Sequence, residues 1–181
     1  MAIALFGGSF DPPHSGHITV IYEALKSLPI ARLIVVPAYV NPFKSGTHAP
    51  AALRLKWLKT IFDAEKQIEV SDFETLQGRP VKTIETVQYY RQIDPDIYLI
   101  IGADNLEMLS KWHQFDELDR LVTWVVATRD QQKIDPRFLT LDVSETVSST
   151  QLRQMMKHEQ LPKKVANEIA TYYKEKYAKT H

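Results

Sequence analysis

Two histidines three residues apart, His14 and His17, sit where a predicted strand gives way to a predicted helix. Upstream, Ile3, Ala4, Leu5 and Phe6 form an apolar β-prone run that stops at Gly7-Gly8, a pair that lets backbone approach a ligand closely. Downstream, Ile18, Ile21, Tyr22 and Leu25 recur at helical spacing. The first N–H groups of a helix lack intrahelical partners and carry the positive end of its dipole. Strand, glycine loop and helix start therefore form an anion site. Imidazoles three apart share a helix face, and their ordinary pKa of about 6.5 lets them protonate beside polyphosphate. The blander reading is a turn followed by a histidine cap.

Further chemistry-bearing residues fall near the carboxyl ends of predicted strands or the starts of predicted helices. The strand Ile97 to Ile101 ends in Gly102-Ala103-Asp104-Asn105; this carboxylate can accept from ribose hydroxyls, assist Mg²⁺ through water, or cap the next helix. Trp112 follows, either a core residue or a stacking platform for an aromatic ring. Near the C-terminus, Ser148, Ser149 and Thr150 precede Arg153. Hydroxyls, helix amides and a guanidinium fork suit phosphate oxygens, and a capping box is the competing reading. Lys44 sits in a proline-bounded loop after a strand, Thr83 at a helix start, and Arg129 just beyond a strand.

The elements that must position these groups alternate. Strands are expected at Ile3 to Phe6, Arg32 to Pro37, Gln67 to Val70, Ile97 to Ile101, Leu121 to Ala127 and Phe138 to Asp142. Helices are expected around His14, over Ala51 to Phe62, from Thr83, after the hydroxyl run Ser148 to Thr150, and from Pro162. Continuous apolar strands separated by helices imply an α/β fold with a doubly wound parallel sheet, binding ligands at its carboxyl edge. At 181 residues, 1–181 fits one domain. Twenty-two basic and 22 acidic residues argue against a broad nucleic-acid surface. With no cysteine there is no disulfide, thiolate metal site or thiol nucleophile, and the expected compartment is reducing. The absence of a leader pattern and of a membrane-length apolar run points to the cytoplasm.

GGSFDPPHSGH, IGADNLEMLSKWHQFDEL and VSSTQLR, with Thr83, Glu85 and Thr86 between them, resemble the nucleotidyltransferase superfamily with the HxGH motif. Within it they are most similar to the nicotinate or nicotinamide mononucleotide adenylyltransferases. The resemblance runs from Ile3 to Arg153 and implies a Rossmann-like, three-layer α/β/α fold. It implies attack of a mononucleotide phosphate on the α-phosphorus of ATP, with pyrophosphate leaving. His14 and His17 would be catalytic. Gly8, Ser9, Phe10, Gly102, Asp104, Arg129, Ser148, Ser149, Thr150 and Arg153 would bind ATP, with Ser149 and Arg153 on its β- and γ-phosphates. Lys44, Thr83, Trp112 and His113 would hold the mononucleotide. Mg²⁺ would arrive with ATP rather than on dedicated protein ligands.

Short relatives of the bacterial type favour nicotinate over nicotinamide, and backbone N–H groups near Thr83 and Trp112-His113 could serve its carboxylate. The expected product is deamido-NAD, in NAD biosynthesis. The partners are then ATP and nicotinate mononucleotide, with no nucleic acid polymer and no membrane; a homo-oligomer is left open. Alternatives are an adenylyltransferase acting on nicotinamide mononucleotide or pantetheine phosphate, and a catalytically silent nucleotide sensor.

Overall fold

The computed structural model describes residues 2–40, 48–128, 133–143, 149–155 and 157–179. The chain runs through β1 (Ile3–Gly8), α1 (Ser15–Ser27), β2 (Arg32–Pro37), α2 (Ala51–Ile61), β3 (Ile68–Val70), α3 (Phe73–Leu76), α4 (Thr83–Arg91) and β4 (Ile97–Gly102). A 3-10 helix (Ala103–Lys111) leads to α5 (Phe115–Leu121) and β5 (Val122–Thr128). Then come β6 (Leu139–Asp142), α6 (Ser149–Met155), a short 3-10 turn (His158–Gln160) and α7 (Ala166–Ala178).

The six strands form one parallel sheet in the order β3-β2-β1-β4-β5-β6. β1 is flanked on both sides: Ile3 pairs with Arg32 on one neighbour and with Ile97 on the other. Its side chains alternate between two cores, as a strand covered on both faces requires. Ala4 and Phe6 join Val20, Ile21 and Ala24 of α1 and Leu58 of α2. Ile3 and Leu5 join Ile84, Val87 and Tyr90 of α4 and Leu118 of α5. Helices thus cover opposite faces, giving the expected doubly wound α/β/α layering. The order reverses between β1 and β4, and the crevice at their carboxyl ends is where such sheets take ligands.

A third cluster lies off the sheet, where Trp57 of α2 packs with Leu152 of α6 and with Val165, Ile169 and Tyr173 at α7. Trp57 is the core residue its helical spacing predicts. Two details differ from the sequence expectation. The last helix starts at Ala166 rather than Pro162, because Val165 donates to the Pro162 carbonyl in an isolated turn (3.0 Å) and leaves helical backbone at φ −126°. The segment after β4 is a nine-residue 3-10 helix. Ala103, Leu106, Leu109 and Trp112 recur every three residues and all pack toward the sheet, which a three-residue turn satisfies and a 3.6-residue turn does not. No helix among the described residues is long and apolar enough to cross a membrane.

Candidate active site

β1 delivers its loop to the mouth of the crevice. Phe10 adopts φ +47°, left-handed backbone that side chains other than glycine rarely take. Its buried ring stands edge-on to Phe6 (5.6 Å, 87°) and 4.8 Å from the His17 ring. Gly8 has to be small here, since a Cβ would come within 3.2 Å of the Phe10 ring. The Phe10 side chain therefore supports His17, and what Phe10 can offer a nucleotide is its backbone.

His14 is the N-cap of α1 and His17 its third residue. The two imidazoles stack with centroids 3.7 Å apart and planes at 23°. The His14 backbone N–H donates to His17 Nδ1 at 3.2 Å. With Nδ1 accepting, the neutral ring carries its proton on Nε2, at the far side from the helix backbone. An amide at the helix start thereby selects the Nε2–H tautomer of the neutral His17 ring.

Two buried charged side chains, Asp11 and Arg54, brace this loop. Asp11 accepts from the N–H groups of His48 (2.6 Å) and Ala49 (2.9 Å) and from the Tyr173 hydroxyl of α7. Arg54 of α2, fully buried, donates from Nε to Ala49 O (3.0 Å), from Nη1 to Ser9 O (2.5 Å) and from Nη2 to Tyr39 O (2.8 Å). Burial pulls the Arg54 pKa down and the Asp11 charge opposes this; burial, then donation to Asp11, pushes Tyr173 up. Asp11, Arg54 and Tyr173 were not among the sequence candidates. The available signal was Arg54 itself, a cation three and four residues before Trp57 and Leu58 on the buried face of its helix.

The C-terminal motif docks on the same loop. Ser149 Oγ donates to Pro12 O (3.2 Å); Arg153 donates from Nη1 to Asp11 O (2.5 Å) and from Nη2 to Thr150 Oγ1 (3.2 Å). Residues 137 to 142 positions apart in sequence thus lie side by side at the α1 N-terminus.

Across the switch point lies a pocket lined by Gly7 and Gly8 of β1, Thr83 and Thr86 of α4, Asn105 and Trp112, over an apolar floor that includes Leu5 and Val87. Lys82, not Thr83, is the N-cap of α4, with Glu85 accepting its N–H at 2.9 Å, so Thr83 faces the pocket rather than capping. Trp112 is half-buried, edge-on to Trp124 at 6.1 Å, and still forms pocket wall. His113 is exposed and lies off that wall. Gly102 ends β4 where a Cβ would collide with the exposed Asp104 carboxylate; Asn105 Nδ2 donates to Gly102 O and Asp104 Oδ1, both at 3.2 Å. Glu74 of α3 is a pocket residue that sequence reasoning missed. It accepts from Thr86 Oγ1 at 2.6 Å, and burial pushes its carboxyl up to about 7 against the effect of that hydrogen bond. Lys44, Arg129 and Ser148 lie outside the described residues.

The model of the family described as cytidylyltransferase-like matches residues 5–155, which spans the described site elements above except α7 with Tyr173. A Sulfurimonas denitrificans protein named as a probable nicotinate-nucleotide adenylyltransferase is 53% identical over 178 residues, covering 98% of each chain. A Campylobacter jejuni protein of the same name is 42% identical over 175 residues, covering 96% of this chain and 97% of its own. A solved Plasmodium falciparum nicotinic acid mononucleotide adenylyltransferase, complexed with NaAD, superposes with a TM-score of 0.73. It is 19% identical, with 94% of this chain and 93% of that one covered, and carries the likeness of fold. With an HxGH helix start, a docked SSTxxR segment and a parallel sheet of matching architecture, the chain belongs to the cytidylyltransferase-like nucleotidyltransferases, among the nicotinate-nucleotide adenylyltransferases.

Proposed function

We propose that this chain transfers the adenylyl group of ATP to nicotinate mononucleotide, yielding deamido-NAD and pyrophosphate, in the cytoplasm and as part of NAD biosynthesis. The observation that carries this reading is the pairing of two sites across one crevice: a cationic helix start closed by Arg153, and an aromatic-walled pocket beside it. The first suits a triphosphate and the second a flat pyridine ring. A phosphate oxygen of the mononucleotide attacks the α-phosphorus, a new P–O bond forms, and the bond to the β-phosphate oxygen breaks with its electrons leaving on pyrophosphate. The nucleophile is already anionic, so catalysis consists of positioning and charge stabilisation.

In this reading the Nε2–H of His17 donates to the triphosphate as negative charge grows, and His14 extends the same surface. The Gly8-Ser9-Phe10 backbone and the start of α6 cradle phosphates; Ser149, Thr150 and Arg153, joined by Ser148, bind the β- and γ-groups. Gly102, Asp104 and Arg129 approach the adenosine end. Thr83, Trp112, Lys44 and the backbone at His113 hold the mononucleotide. Nucleotidyltransferases of this family generally work with a divalent ion, and Mg²⁺ would arrive bound to the ATP substrate.

A pyrophosphate-release assay with ATP and a panel of nicotinate mononucleotide, nicotinamide mononucleotide and pantetheine phosphate tests the proposal. Nicotinate mononucleotide should give the highest kcat/KM, and His17→Ala should lower kcat by about 10²-fold with a smaller effect on KM. Preference for pantetheine phosphate, or no turnover at all, overturns it.

A further inference from the structure

Glu74 is the single charged side chain among the described residues lining the pocket beside Trp112. It is half-buried on α3, and Thr86 Oγ1 spends its proton on Glu74 Oε1 at 2.6 Å. No cation among the described residues pairs with it. On α4 the nearest charge is Glu85, held by Arg79 at 2.6 Å. In the link before α3, Asp72 lies 3.7 Å from Lys59 Nζ of α2, and Ser71 accepts from Tyr90 OH at 2.6 Å. β2 presents Val36 to the pocket. Asn105 has its amide protons on Gly102 O and Asp104 Oδ1.

The polar end of the pocket therefore has two states with opposite preferences. Ionised, Glu74 and the Thr86 oxygen are both acceptors, which satisfy an amide N–H₂ and repel a carboxylate. Protonated, Glu74 becomes a donor, and two carboxyl groups in one site share one proton. Resting on the reading of this pocket as the pyridine site, we infer that Glu74 is a specificity-determining residue. As a carboxylic acid it donates a hydrogen bond to the ring carboxylate of nicotinate mononucleotide, and as a carboxylate it accepts from the amide of nicotinamide mononucleotide. Burial beside Glu85 puts both states within the range near neutrality. Nicotinate preference is then a function of pH.

The experiment is titration of the full-length protein with each mononucleotide from pH 6.5 to 8.5, by calorimetry or tryptophan fluorescence, reading the ratio of the two dissociation constants. The ratio cancels the ionisation of the phosphate that both ligands carry. In wild type the acid should lose about tenfold relative to the amide across this range, the loss expected for a group titrating one proton within it. Glu74→Gln keeps a donor and an acceptor without titrating, so its ratio should stay flat. Thr86→Val removes the hydroxyl that stabilises the carboxylate, so the midpoint should move to higher pH. A flat wild-type ratio, or the same slope in Glu74→Gln, overturns the inference while leaving the proposed function standing; failure of both mononucleotides to bind overturns both.

Discussion

The Tyr173 hydroxyl of α7 donates to Asp11 Oδ1, joining residues 162 positions apart and closing the loop that carries His14 and His17. Its neighbours reinforce the clamp, since Tyr172 OH (3.1 Å) and Lys176 both donate to the His48 carbonyl while the His48 N–H donates to Asp11. Tyr173→Phe keeps the packing and deletes one hydrogen bond to a carboxylate. It should cost about 1.5–3 kcal/mol in urea unfolding. A loss indistinguishable from zero would mean the two backbone amides satisfy Asp11 alone.

Arg54→Met preserves most of the stem volume and strips donors from three carbonyls, at Ser9, Tyr39 and Ala49. Each buried carbonyl left without its donor costs about 1–3 kcal/mol, and the attraction between the Arg54 and Asp11 charges is lost as well. Arg54→Lys should fall between, because an ammonium lacks the fixed fork that reaches all three oxygens. Equilibrium denaturation of the two variants orders them, and equal stabilities would deny the fork its role.

Trp112 is half pocket wall and half core, so both readings of its sequence context should show in one mutant. Trp112→Ala should raise the mononucleotide KM by the equivalent of about 1–3 kcal/mol, the value of a stacked ring. Its thermal melt should show less than the about 3–5 kcal/mol typical of a fully buried Trp. A full core penalty with unchanged KM would place the residue wholly in the core.

Glu74 should also mark the stability profile. Its folded pKa of about 7 stands above the ordinary 4.5, so the folded state holds the extra proton between those values. Wild type should therefore lose stability as pH rises from about 5 to 7 and stay lower above that. Glu74→Gln should be spared this loss, worth about 1–3 kcal/mol at pH 8. Melts of both proteins at pH 5 and pH 8 measure the difference, and parallel profiles would show that Glu74 is solvated.

Much of this fold was legible because buried parallel strands write themselves as continuous apolar runs. β2 falls on Arg32–Pro37 to the residue, and β1, β4 and β5 differ from expectation only at their ends. α3 and α5, at four and seven residues, are too short to display a helical period, and the 3-10 helix obeys a period of three that a search for 3.6 passes over. The site divides the same way. His14, His17, Ser149 and Arg153 could be singled out because each sits in a compact local pattern. Asp11, Arg54, Glu74 and Tyr173 gain their meaning from partners far along the chain, such as Thr86 for Glu74 and Ser9 for Arg54, and no local spacing encodes that.

The contact between Tyr173 and Asp11 also sets an order of events during synthesis. β1 and the loop after it are made first, yet the buried Asp11 carboxylate lacks one of its donors until α7 has left the ribosome. A nascent chain that has exposed β1 to β6 can pair its strands and hold the loop through Arg54 and the His48 and Ala49 amides, but it still lacks the contacts from Arg153 and Tyr173. The full set of contacts on the histidine loop is thus completed last, when the C-terminal helix docks.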